Sequence, residues 1–248
     1  MALQQFAPIL LERGIFKADF DVHSIDSDTY LYFSLTPTNR LTNLRHVLML
    51  RFMRELQAMY GCRVVFHILD TKALLLDPKA KWATVNQMTA ETMKDILAFG
   101  FDHDRTTFFL NSKSSSINYV MLCDLQRRVP IGTFFSSMFE NDQTNIGLID
   151  VAFQVATGAV PAYLNLNEHR CVMMLRESQI NYLQAAKQIC ELAGCAQPCS
   201  IVGGYVPSLL GDVKMPKLAA EPHGGKSLIH REYNSIYLKD TPKQIQTK

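Results

Sequence analysis

YFSLTPTNRLTNLRHVLML, residues 32–50, runs from a β-rich segment through a turn into a helical pattern. The segment Thr29–Leu35 (TYLYFSL) is rich in β-branched and aromatic residues, and the turn TPTNR stops it. From about Thr42 to Tyr60 the apolar positions Leu44, Val47, Leu48, Phe52, Leu56 and Met59 recur at helical spacing, and Gly61 follows as a C′ residue. A strand that feeds a helix through a short loop leaves unpaired N–H groups and partial positive charge at the helix start. That is where an anion such as phosphate binds.

Working outward, the alternation continues. CRVVFHILD, Cys62–Asp70, is the continuous apolar run of a strand buried on both faces. A helical pattern from about Lys81 to Phe99 stops at Gly100, and TTFFLNS, Thr106–Ser112, reads as another short buried strand. Strand, helix, strand, helix, strand predicts an α/β fold with a Rossmann-like parallel sheet and crossover helices. Residues 113–167 are richer in Ser, Asn, Gln, Gly and aromatics. They read as a helical insertion, with helices over Asn118–Val129 and Gly147–Thr157. EHRCVMML then gives a strand, SQINYLQAAKQICELAG a helix closed by Gly194, and QPCSIVGGYVP a strand entering a turn. The expected organisation is an N-terminal segment 1–28, a first half of the sheet domain 29–112, the insertion 113–167 and a second half 168–248.

Composition limits the class. The 248 residues are 48% hydrophobic and 19% charged with a net charge of +2, which describes a globular protein with a sizeable core. No apolar run reaches the ~18 residues of a membrane span, and the N-terminus has no basic segment or small-residue cleavage site, so no membrane and a cytoplasmic location are expected. Among the six cysteines only Cys190, Cys195 and Cys199 cluster, without paired CxxC spacing, so free thiols and no metal are expected.

Six segments, in order, resemble the class I aminoacyl-tRNA synthetases, most closely the eukaryotic-type tryptophanyl-tRNA synthetases. LYFSLTPTNRLTNLRH is similar to the family's strand, loop and first signature. RELQAMYGCRVVFHILDTKALL is similar to the next helix and strand, with Asp70 in the usual place. KDILAFGFDHDRTTFFLNS, MLRESQINYLQAAKQI, GDVKMPK and NSIYLKDTPKQIQTK are similar to the segments that follow, GDVKMPK lying where the mobile lysine loop belongs. The tyrosyl enzymes remain a second choice for substrate identity. The resemblance implies ATP, carried with Mg2+, as cofactor, and an amino acid activated to an adenylate and then moved to tRNA. It implies a homodimer formed through the insertion. The chain stops where the family continues into an anticodon-binding domain.

Residue by residue, the resemblance assigns ATP contacts to Thr36, Pro37, Asn43, His46 and Lys214. Catalytic roles fall to His46, Lys214 and Lys217. Amino-acid contacts fall to Tyr32, His67, Asp70, Lys72, Gln154 and Gln179. Several positions depart from the family pattern. Asn43 stands for a histidine, Arg45 for a glycine that lets adenine approach the backbone, and Lys72 for an acid that would pair with the substrate ammonium. Ser178 stands for the Asp before Gln179, and Pro216 and Leu218 for small or hydroxyl-bearing residues. Lys226 is a third candidate loop lysine. His67 equally reads as a satisfied core histidine. The departures keep a second function class open, a paralogue that binds nucleotide or amino acid, or regulates, without catalysis.

Overall fold

A computed structural model describes residues 6–37, 44–113, 115–130, 132, 134 and 146–203. Its frame is a six-stranded sheet of order β1-β6-β5-β2-β3-β4. The strands are β1 (Phe16–Ala18), β2 (Thr29–Leu35), β3 (Arg63–Ile68), β4 (Thr106–Leu110), β5 (Arg170–Arg176) and β6 (Cys199–Gly203). All neighbours pair in parallel except β1, which lies antiparallel to β6. Seven helices accompany them among the described residues: α1 (Phe6–Glu12), α2 (Leu44–Tyr60), α3 (Asp70–Leu76), α4 (Trp82–Leu97), α5 (Ser115–Gln126), α6 (Ile146–Thr157) and α7 (Ile180–Ala193).

The chain builds outward from β2 to β3 and β4, then returns to the other side of β2 with β5 and β6. The order therefore reverses between β2 and β5, the crevice where open α/β sheets bind ligands. β2 is central and every one of its residues is buried. Its alternate side chains feed two cores. Leu31 and Phe33 join Phe52, Leu56, Phe66, Val172 and Met174 on one face. Tyr30 and Tyr32 join Val65, Val155, Tyr163, Met173 and Ala186 on the other. Each such side chain removed from water stabilises by about 1.5–3 kcal/mol.

Local chemistry sets the element ends. Gly61, Gly100 and Gly194 hold φ of +64°, +77° and +70°, a region open to glycine at no steric cost, and they follow α2, α4 and α7. At α7 the Gly194 N–H bonds to Glu191 O and the Cys195 N–H to Cys190 O, the paired pattern of a Schellman cap. Glu55, only 4% exposed on α2, is stabilised by accepting the Phe6 and Ala7 N–H groups at 3.1 and 2.6 Å. Its carboxylate thereby satisfies free donors at the start of α1.

Several expectations are corrected. TTFFLNS is not a buried strand. β4 is an edge strand of which only Phe109 is buried, and Asn111–Lys113 forms a 3-10 turn. An edge strand has no neighbour to cover its outer side. The N-terminal segment 1–28 supplies α1 and the antiparallel edge strand β1, neither of which the sequence reading named. α3 was not foreseen; its seven residues are too few for helical periodicity to register. α5 begins at Ser115 with a kink at Asn118, whose amide donates to Ala162 O at 3.0 Å. Helix α2 is described from Leu44, and an earlier start at Thr42 lies outside the described residues. All six cysteines are free thiols. No described helix is long and apolar enough to cross a membrane.

Candidate functional site

The site grows from the carboxyl ends of β3 and β4. His67 is the penultimate residue of β3 and is fully buried. Its Nδ1 lies 2.5 Å from Tyr32 Oη, and its Nε2 lies 3.0 Å from Asn111 Oδ1. The Asn111 amide in turn donates to Thr71 Oγ1. Burial lowers the His67 pKa to about 3, so the ring is neutral, and burial holds the Tyr32 phenol well above its ordinary value, so it is protonated. The amide oxygen of Asn111 accepts, so Nε2 carries the imidazole proton and Nδ1 accepts from the Tyr32 hydroxyl. The relay Tyr32–His67–Asn111–Thr71 has one direction and delivers the Thr71 hydroxyl to the wall of a cleft.

Tyr32 is locked as well as bonded. Gly158 sits against its ring; a Cβ there would lie 2.3 Å from Tyr32 Oη. Asp70, 1% exposed, opens α3. It accepts the N–H groups of Thr71 and Ser112 at 2.9 and 2.8 Å, and the Ser112 hydroxyl as well. These bonds tie the end of β3 to the end of β4 and shape the cleft floor.

The cleft has a volume of about 360 Å3. Its β-strand side carries Thr71, Asn111 and Ser112, and its helical side carries Tyr119, Gln126, Asp150 and Gln154. Asp150 Oδ1 accepts from Gln126 Nε2 at 2.9 Å, and Asp150 Oδ2 from Gln154 Nε2 at 2.6 Å. Of these two cleft residues the sequence reading named Gln154 and not Asp150, although they stand one turn apart on α6. Nor did it name Gln126, Asn111, Thr71 and Ser112, which come from three other places in the chain.

The remaining expected residues lie elsewhere. Lys72 is partly buried on α3 but does not line the cleft. Gln179 is 8% exposed, and its side-chain oxygen accepts the Arg176 N–H at 3.2 Å and Arg176 Nε at 3.1 Å. It therefore braces the turn after β5. Thr36 and Pro37 follow β2 at the crevice where the strand order reverses, and His46 stands at the start of α2. Asn43, Lys214, Pro216, Lys217, Leu218 and Lys226 lie outside the described residues, as do the side chains of Arg45 and Ser178.

Residues 26–144 match the family model of class I tRNA synthetases (W and Y). The chain is 23% identical over 246 residues to the tryptophan–tRNA ligase of Pyrobaculum calidifontis, covering 96% of this chain and 62% of that protein. It is 24% identical over 250 residues to the cytoplasmic tryptophan–tRNA ligase of Saccharomyces cerevisiae, covering 96% of this chain and 55% of the relative. The chain thus spans about three-fifths of the length of the curated relatives it matches. The solved tryptophanyl-tRNA synthetase of Giardia lamblia superposes with a TM-score of 0.77 at 24% identity, over 98% of this chain and 70% of that one. By family model, relatives and fold together, the chain is similar to the catalytic domain of the class I tryptophanyl-tRNA synthetases.

Proposed function

We propose that this chain activates tryptophan with ATP, as a tryptophan–tRNA ligase does. The observation that carries the reading is the polar cleft at the carboxyl ends of β3 and β4. It is fed by the Tyr32–His67 relay and lies beside the crevice where the strand order reverses.

In this reading Thr36, Pro37 and Asn43 border the nucleotide, and the start of α2 offers its N–H groups to phosphate. His46 donates to the phosphates. Lys214 and Lys217 neutralise the departing pyrophosphate. Tyr32, His67, Asp70 and Gln154 form or support the amino-acid pocket, with Gln179 bracing its edge and Lys72 outside it. Activation joins the amino-acid carboxylate to the α-phosphorus and expels pyrophosphate. The protein's task is to hold the two reactants in line and to stabilise charge on phosphorus. Mg2+ arrives with ATP as the counter-ion of its phosphates. No group of three His, Cys, Asp or Glu among the described residues could hold a metal ion, and a phosphate-bound Mg2+ needs only one or two protein oxygens. Transfer to tRNA, a homodimer and a cytoplasmic location belong to the same proposal.

The test is pyrophosphate exchange on purified protein, dependent on both tryptophan and ATP. Exchange above background supports the reading, with tyrosine in place of tryptophan testing the substrate. No exchange, together with no protection by ATP against thermal unfolding, overturns it. ATP protection without exchange favours the non-catalytic binding module.

A further inference from the structure

We infer that Asp150 binds the primary ammonium group of the ligand that fills the cleft. The inference rests on the amino-acid reading above and names the charged partner that reading leaves unassigned. Among the described residues the wall of the cleft offers one carboxylate, from Asp150, and no lysine, arginine or histidine. Among the described residues no cation lies within ion-pair distance of Asp150. Its partners among the described residues are the two neutral amides of Gln126 and Gln154, one on each oxygen.

This arrangement orients a full negative charge without neutralising it. An ionised carboxylate has about four acceptor sites, so both oxygens keep capacity after accepting one amide each. In a partly enclosed cleft whose other groups are neutral, that charge favours a ligand of opposite sign. A primary ammonium fits the rest of the wall better than a planar guanidinium. Its three donors can turn to Asp150 and to the hydroxyl oxygens of Thr71 and Ser112, which share the cleft.

The resemblance looked for this acid on α3, where the chain has Lys72. In the structure Lys72 does not line the cleft, so its charge does not occupy the ligand's place. The carboxylate enters from the opposite wall, on α6. Gln126 and Gln154 act as positioning residues for it.

The test is calorimetric binding to the full chain, with tryptophan, tryptamine (which keeps the ammonium but not the carboxylate) and indole-3-propionate (which lacks the ammonium). Wild type should bind tryptophan and tryptamine, and indole-3-propionate roughly 10- to 100-fold more weakly, the range expected for losing a hydrogen bond to a charged group. Asp150→Asn should weaken tryptophan and tryptamine by a similar factor and leave indole-3-propionate unchanged, while Lys72→Ala should alter all three less than about threefold. Unchanged tryptamine affinity in Asp150→Asn overturns the inference and leaves the amino-acid reading standing. Tryptamine binding that Asp150→Asn abolishes, with no pyrophosphate exchange in wild type, upholds the inference and removes the activation reading. Failure of wild type to bind tryptophan, tyrosine or tryptamine overturns both. Should circular dichroism show Asp150→Asn unfolded, the wild-type ranking decides, and equal affinity for tryptamine and indole-3-propionate overturns the inference.

Discussion

The two faces of the sheet are built from the same strands and differ in chemistry. On the face covered by α1, α2 and α4, successive strands contribute Leu31, Phe33, Val64, Phe66, Ile68, Val172 and Met174, and the packing is almost wholly apolar. Phe66 alone meets Phe33, Phe101 and Phe108 with ring centroids 6.5, 5.0 and 5.5 Å apart. On the face covered by α5, α6 and α7, the same strands contribute Tyr30, Tyr32, His67 and Cys171, each with a polar atom. Tyr30 donates to Gly158 O at 3.1 Å and Tyr32 pairs with His67. One face serves mainly to hold the sheet. The other places hydroxyl, imidazole and amide groups behind a cleft, and each of these must find a partner because an unpaired buried polar group is costly.

The largest effect is expected on the dry face. Phe66→Ala should cost about 3–5 kcal/mol of unfolding free energy, from lost burial and the cavity left behind. Urea denaturation measures it. A loss under about 1 kcal/mol would mean that the two faces do not differ as described.

The polar face should show itself in pH dependence. The folded pKa of His67 is about 3, below the ordinary 6.5. Between these values the unfolded chain binds a proton that the folded chain refuses, so stability falls as pH drops from about 6.5 towards 3. Between pH 6.5 and 4 the His67 contribution should be about 2–3 kcal/mol. Denaturation at a series of pH values, on wild type and His67→Gln, isolates it. A variant that keeps the full wild-type slope would place the acid sensitivity elsewhere.

The smallest of the three effects probes the seam between Tyr32 and α6. Gly158→Ala puts a methyl group within 2.3 Å of a phenol that is 1% exposed and cannot swing away. Overpacking of that kind costs about 1–3 kcal/mol. Under the proposed function it should also weaken tryptophan binding, because the Tyr32–His67 bond must shift. Stability unchanged from wild type, with unchanged affinity, would show that the ring has more room than the packing suggests.

How much of this was legible follows from the range of each interaction. β2, β3, α2 and α4 announce themselves through apolar period and closing glycines, which are local signals. β1 and α3 are too short for a period, and β4 looked buried because TTFFL is apolar on both faces, a pattern an edge strand can share. His67 was left open between ligand contact and core histidine. In the structure it is bonded on both nitrogens and reaches the cleft wall only through Asn111 and Thr71. Asp150 carried no signal of its own; a single acid on an amphipathic helix reads as a solvated charge until a neighbouring helix brings Gln126 to its second oxygen.

The sequence by itself determined the alternation of strands and helices, the six ordered segments that resemble a class I synthetase, and the positions that depart from that pattern. Period, turn residues and motif spacing are written within a few residues of one another. The tertiary structure alone decided that the sheet reverses between β2 and β5 and that the acid in the cleft is Asp150. Those facts depend on side chains more than twenty residues apart meeting across the sheet and between helices. Such meetings are fixed by packing and by the need to pair buried polar groups, and no local pattern encodes them.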